Sequence, residues 1–332
     1  MRLLVTGGAG FIGSHFIRHM LTSYPTYTII NLDKLTYAGN LETLADIQSH
    51  SQYEFVRGDI CDAAVVNRLA SQVDVIVNFA AETHVDRSIV KPGDFIHINV
   101  QGTYVLLEAA KKYHHRRYVQ ISTDEVYGSL TQGVLLEDAP LRPSNPYAAS
   151  KASGDLLTLA YFTTFGLPVL VTRSTNNFGP NQYPEKLIPL CITNALEGKS
   201  LPIYGDGLHV RDWLYVLDNC RAIDLVLHTG EAGAIYNICG GNARTNIAIA
   251  RLILRELRQP ETLIRHVNDR AGHDRRYAVN GDRVARLGYR AAFRFEESLR
   301  ETVSWYVEHT DWWRRIKSGA FQHYYQQQYQ DR

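Results

Sequence analysis

Arg2-Leu3-Leu4-Val5-Thr6-Gly7-Gly8-Ala9-Gly10-Phe11-Ile12-Gly13-Ser14 reads as a short apolar strand, a glycine-rich turn and the start of an amphipathic run, Phe11 to Leu21. Glycines at 7, 10 and 13 permit a tight turn, close approach of a pyrophosphate to bare backbone, and close packing of helix on strand. The amides at the start of the helix then face the anion. A second strand, Thr28 to Asp33, ends in an acid about 20 residues past the last glycine, where a carboxylate meets a ribose 2'-hydroxyl. Asp33 would repel a 2'-phosphate, so the expected cofactor is NAD rather than NADP.

The alternation continues through apolar strands at Tyr53 to Asp59, Val73 to Ala81, Arg117 to Ser122 and Pro168 to Arg173, with helical stretches between them. Right-handed βαβ units in an α/β, doubly wound (Rossmann) parallel sheet follow, and near-continuous apolar strands imply burial on both faces. Asp59 and Ile60 follow the third strand and are placed to meet the adenine; Phe79, Ala80 and Ala81 follow the fourth and pass along the cofactor. Residues 1–175 read as the NAD-binding domain. A smaller substrate domain spans 176–311, with about 212–235 returning to the first, and 312–332 form a tail of unassigned role.

Ser122-Thr123-Asp124-Glu125 sets two neighbouring acids just past the fifth strand, where an α/β crevice opens. Downstream, Asn145 suits a helix N-cap and Pro146 its first turn, so Tyr147 and Lys151 share one face, a turn apart. A nearby ammonium favours tyrosinate. Bringing a phenol from about 10 to near 7 takes about 3 pKa units, roughly 4 kcal/mol, and Lys151 is the expected source. YxxxK alone also occurs on solvated helix turns; the glycine turn and the acid pair give it a context.

The chain has 332 residues, 45% of them apolar and 21% charged, enough for a substantial core. Its 35 basic and 34 acidic side chains leave a net charge of +1, so no global field points to nucleic acid or a membrane. Four cysteines lack CxxC or Cys/His spacing, and 13 histidines lack HExxH, so no metal is expected. Free thiols and the absence of a long apolar run or signal h-region suggest a cytoplasmic protein.

Past Ser174 the texture turns to amides and turn residues, from Asn176 to Lys186. Helical spacing returns at Leu187 to Leu196, Val216 to Leu227, Ile247 to Leu257 and Glu296 to Val307, with a short strand at Leu201 to Tyr204. Basic residues recur at Lys186, Arg211, Arg270, Arg275 and Arg276, beside Tyr204, Asn246 and His273. Guanidinium forks suit a diphosphate, and Arg211, in a neutral aromatic segment, is the best single candidate.

TGGAGFIGS, NLDKLTYAGN, AAETHVDRSI, STDEVYG, YAASKA, TRSTNNFGPNQYPEKLIP, LPIYGDGLHVRDWLYV and GHDRRYA together resemble the extended short-chain dehydrogenase/reductase family, and within it the dTDP-glucose 4,6-dehydratases. The resemblance covers nearly the whole chain. It implies that Thr123, Tyr147 and Lys151 form an oxidising site and that Asp124 and Glu125 are the acid and base of a dehydration. It sets Leu35, Thr36, Thr83, Asn99 and Asn176 beside NAD. Around a nucleotide-sugar it sets His84, Asn177, Glu185, Lys186, Leu187, Pro202, Tyr204, Arg211, Asn246 and Arg270 to His273. Related epimerases carry small or hydroxyl residues where Asp124 and Glu125 stand, so the pair favours dehydration over a nucleotide-sugar 4-epimerase or a non-catalytic nucleotide sensor. Cys239, Gly241 and Ala271 depart from the family pattern in the substrate half. UDP-glucose stays open as an alternative substrate, and a homodimer through 98–110 and 151–162 is expected from helices with more than one apolar stripe.

Overall fold

The structure is a computed structural model and describes residues 1–318 and 320–329, the side chains of 320, 323 and 327 excepted. Residues 319 and 330–332 of the tail expected to have no assigned role lie outside it. In chain order the strands are β1 Arg2–Thr6, β2 Thr28–Asp33, β3 Tyr53–Arg57, β4 Val75–Asn78, β5 Arg117–Thr123 and β6 Val169–Ser174. The second half adds β7 Asn176–Phe178, β8 Leu201–Tyr204, β9 Val210–Tyr215, β10 Ile235–Ile238, β11 Ala243–Thr245 and β12 Ile264–Val267.

Seven strands form one parallel sheet in the order β10-β6-β5-β4-β1-β2-β3. Val5 of β1 lies opposite Asn31 on one side and Val77 on the other. One face packs Phe16, Ile17 and Met20 of the helix Phe11–Ser23 against Val5, Val119 and Leu170. The other packs Leu106 and Leu107 against Ile76, Tyr118 and Val169. Burial on both faces accounts for strands that read as continuous apolar runs.

After β6 the chain leaves the sheet for two smaller ones, β11-β9-β7 and β12-β8. It then returns: the helix Val216–Thr229 packs on the helix Phe11–Ser23, and β10 pairs with β6. Among the described residues no helix is long and apolar enough to cross a membrane, and all four cysteines are free thiols.

Three expectations shift. β3 stops at Arg57 and β4 at Asn78, so Phe79 to Ala81 form a loop, because the chain must leave the sheet where the crevice opens. Residues His97–Gly102 form a π-helical turn before the helix Thr103–Lys112. Gly102 packs so tightly there that an added Cβ would lie 2.4 Å from Ile60 Cδ1. The tail, without visible period, forms the helices Thr310–Ile316 and Ala320–Tyr329. Trp313 anchors the first, fully buried, its Nε1 donating to the Tyr306 carbonyl at 2.8 Å.

Candidate active site

Between β1 and β4 the strand order reverses, which is where an open parallel sheet leaves a crevice. A cavity of about 280 Å³ occupies it. Gly7 forms its floor at φ 70°, and a Cβ there would stand 2.6 Å from the Ala80 nitrogen. At Gly13 a Cβ would stand 2.5 Å from the Gly7 carbonyl oxygen. Only bare backbone fits, and it leaves the start of the helix open to an anion. Asp33 is buried at the rim, accepting from the Ala9 amide at 2.9 Å and the Leu35 amide at 2.8 Å. This glycine cradle with a fixed carboxylate fits a dinucleotide.

Gly10, Phe11, Ile12, Thr36, Asp59, Ile60, Phe79, Ala80, Ala81, Thr83 and Asn176 share the cavity wall. Leu35 does not; its amide serves to hold Asp33. Asn99 also lies behind the wall. Its amide clamps Glu82, accepting from Glu82 N at 2.9 Å and donating to Glu82 O at 3.0 Å, and donates to Ser150 Oγ at 2.8 Å. Asn99 therefore ties the loop after β4 to the helix Pro146–Phe165.

That helix is capped by Asn145, whose side chain accepts from the Ala148 amide at 2.9 Å. It brings Tyr147 and Lys151 to the cavity beside Thr123, Asp124 and Glu125. β5 ends at Thr123, whose hydroxyl accepts from the Glu125 amide at 3.3 Å and caps the short turn Asp124–Tyr127. Beneath the turn, Asp155 accepts from Ser122 Oγ and Arg173 Nε, both at 2.9 Å, and Arg173 also donates to Tyr127 Oη at 2.8 Å. Such a buried, mutually paired network holds the strand end in place.

Burial, followed by the neighbouring Glu125 charge, pushes the Asp124 carboxyl well above the usual carboxylate range, and its Oδ2 has no hydrogen-bond partner. Burial and the Glu125 charge thus favour the protonated form of Asp124. The expectation for Tyr147 needs correcting. Lys151 donates to the Ile121 carbonyl at 2.5 Å, while burial and then Glu125 raise the Tyr147 phenol. Burial thus favours the neutral phenol. Burial brings Lys151 itself down to about 8.

The cavity wall continues through Asn177, Glu185 and Lys186. Lys186 Nζ donates to the Thr83 carbonyl at 2.9 Å, and Glu185 accepts from Arg87 Nε at 3.0 Å. His84, Tyr204, Arg211, Asn246, Arg270 and His273 lie outside the cavity lining, under the second half of the chain. Arg211 donates to the Val210 and Asp274 carbonyls, both at 2.8 Å, and stacks over Tyr277 at 4.3 Å. Asn246 starts a helix with its Oδ1 buried and unpartnered, and His273 stacks on His209 at 3.6 Å. Leu187 opens the next helix, and Pro202 is buried in β8 opposite Arg265.

Two neighbours of the site escaped the sequence reading. Tyr277 donates to Asp274 at 2.7 Å and lies 3.4 Å from Glu125 Oε2. Arg87 bridges Glu185 and two tyrosine rings, Tyr37 at 3.8 Å and Tyr324 at 4.5 Å. Tyr277 sits in the GHDRRYA segment and Arg87 in AAETHVDRSI, so both were visible as members of distinctive stretches.

A nucleotide cradle at the switch point, with a tyrosine and a lysine one turn apart at its far end, is the organisation of a short-chain dehydrogenase/reductase. The model of the GDP-mannose 4,6 dehydratase family matches residues 4–302, and the chain belongs to that family. It is 51% identical over 324 residues to dTDP-glucose 4,6-dehydratase of Streptomyces niveus, covering 96% of each. To the Salmonella typhimurium (strain LT2) dTDP-glucose 4,6-dehydratase it is 46% identical over the whole of both chains. A crystal structure of dTDP-glucose 4,6-dehydratase from Streptomyces venezuelae, with NAD bound, superposes with a TM-score of 0.94 at 51% identity, covering 96% of this chain and all of that one. A UDP-glucose 4-epimerase of Thermus thermophilus is more distant, with a TM-score of 0.86 at 30% identity over 93% of this chain and all of the epimerase.

Proposed function

We propose that the chain catalyses the NAD-dependent dehydration of dTDP-glucose to dTDP-4-keto-6-deoxyglucose. The observation that carries this reading is the pair Asp124 and Glu125 on the cavity wall with Tyr147, where burial and the Glu125 charge raise the Asp124 carboxyl. Gly7, Gly10 and Gly13 would hold the pyrophosphate and Asp33 the ribose, while NAD, when bound, supplies a hydride acceptor at carbon 4 and a donor at carbon 6, and a positive ring charge that favours tyrosinate. Tyr147, with Thr123 beside it, takes the proton of the sugar 4-hydroxyl. Lys151, near 8, is poised to gain or lose a proton at neutral pH. The 4-ketone acidifies carbon 5; Glu125 removes that proton as Asp124 donates its own to the departing 6-hydroxyl, which leaves as water, and Glu125 returns the proton to carbon 5 once carbon 6 has been reduced. Like charges at close range oppose double ionisation, which suits one acid and one base.

A 4-epimerase shares Tyr147 and Lys151 but has no task for two acids. Incubation of the purified protein with dTDP-glucose, and separately UDP-glucose, followed by mass spectrometry, separates the readings. Loss of one water from the thymidine substrate is expected; an unchanged mass with altered stereochemistry would support the epimerase.

The protein is further proposed to be a homodimer. Tyr104 on the helix Thr103–Lys112, Leu156 and Phe165 on the helix Pro146–Phe165, and Ile96 just before them are 43%, 59%, 53% and 60% exposed. Apolar groups so placed on adjacent helices suit a self-complementary face. Light scattering should give twice the chain mass; a monomer at working concentration would remove the proposal. The free thiols accord with a reducing cytoplasm.

A further inference from the structure

Tyr277 is buried with its hydroxyl facing two carboxylates, Asp274 and Glu125, and a phenol has one proton to give. The distances decide where it goes. Asp274 Oδ2 accepts at 2.7 Å, an ordinary length for an O–H···O bond, whereas Glu125 Oε2 stands off at 3.4 Å, past that range. Burial, then the Glu125 charge, raises the Tyr277 phenol well above its ordinary value, which favours the form that keeps the proton. Glu125 therefore meets the lone pairs of this hydroxyl rather than its hydrogen.

Asp274, also buried, is itself fixed from two sides. Ser144 Oγ donates to the same Oδ2. Arg211 donates to the Asp274 carbonyl at 2.8 Å while its guanidinium lies 4.3 Å from the centre of the Tyr277 ring. Ser144 comes just before Asn145, the cap of the helix that carries Tyr147 and Lys151. Asp274 so ties Tyr277 to the helix of the oxidising residues, yet it lies outside the cavity lining.

We propose that Asp274 is a positioning residue for the base: by taking the Tyr277 proton it leaves Glu125 beside an acceptor, which can bond the carboxylic acid and not the carboxylate. This role rests on the dehydration reading above, in which Glu125 takes the carbon 5 proton and holds it while carbon 6 is reduced. Ionised, Glu125 gains no hydrogen bond from Tyr277. Once protonated, it donates to Tyr277 Oη, which goes on donating to Asp274, and the chain of hydrogen bonds is complete. A bond made only after the proton has moved favours elimination over the resting state and leaves the oxidation at carbon 4 untouched.

Asp274→Ala frees the Tyr277 hydroxyl to turn its proton to Glu125, a charge-assisted bond that opposes removal of the carbon 5 proton. Water loss from dTDP-glucose should slow about tenfold to a hundredfold. KM and the rate of NADH formation in a single turnover should stay as in wild type, so NADH accumulates. Asp274→Asn keeps the shape and a weaker, neutral acceptor, so its loss should fall between wild type and Asp274→Ala. Because Asp274 acts through Tyr277, adding Asp274→Ala to Tyr277→Phe should slow elimination by less than about twofold beyond Tyr277→Phe alone. Additive losses in the double variant, a raised KM or slower NADH formation would make Asp274 a structural anchor and overturn the proposal. So would Asp274→Ala at the wild-type rate, or Asp274→Asn as slow as Asp274→Ala. Absence of water loss by the wild type itself would remove the dehydration reading, and the role of Asp274 with it.

Discussion

Glu125→Gln is expected to bind dTDP-glucose and to oxidise it at carbon 4, yet to lose water about 100 to 10,000 times more slowly than wild type. Gln has nearly the same shape, and Glu125 makes no ion pair among the described residues; its one side-chain neighbour at hydrogen-bonding range is Tyr277 at 3.4 Å. The fold should therefore survive. NADH absorbance should rise and persist, because reduction outlasts a stalled elimination. Asp124→Asn should reach a similar end by another route, since a carboxamide in that buried position cannot protonate the leaving hydroxyl. Near-normal dehydration by folded Glu125→Gln would turn the pair into a structural feature.

Tyr147→Phe should stop the sequence one step earlier, with no NADH formed and turnover lower by a comparable factor. The Tyr147 ring packs edge-on against Phe95 at 6.2 Å and in a cluster with Val85, contacts that a phenyl ring retains. Binding of substrate and cofactor should thus be kept while the 4-hydroxyl proton has nowhere to go. Rapid mixing that still shows NADH would mean that another group, Thr123 or Lys151, takes that proton.

The first half of the chain is legible because its strands are covered on both faces and its turns are set by glycine. Gly7 and Gly13 announce the cradle, since no other residue fits against Ala80 or the Gly7 carbonyl. The sequence also shows that Tyr147 and Lys151 share a helix face. It does not show that the Lys151 ammonium turns to the Ile121 carbonyl, which depends on where β5 ends relative to that face. The tail was opaque for a different reason. Its apolar stripe is Phe321, Tyr325 and Tyr329, packed on Leu190, and two of the three are tyrosines set among glutamines, so the period does not stand out in the sequence. Arg87 and Tyr277 stand in distinctive stretches, but their place beside the site depends on Glu185 and Glu125, which are distant from them in sequence.

The place of β10 in the sheet bears on biogenesis. β6 pairs with β5 as soon as residues up to Ser174 exist, but its other edge waits for Ile235–Ile238, which follows the whole of β7, β8 and β9. At about 5–20 residues per second on the ribosome, that edge stays open for roughly 3–12 s. Val169, Leu170 and Val171 are meanwhile an apolar strand with unpaired backbone, a template for a neighbouring nascent chain. Growth temperature and chaperone supply should therefore govern the yield of soluble protein through this interval of synthesis.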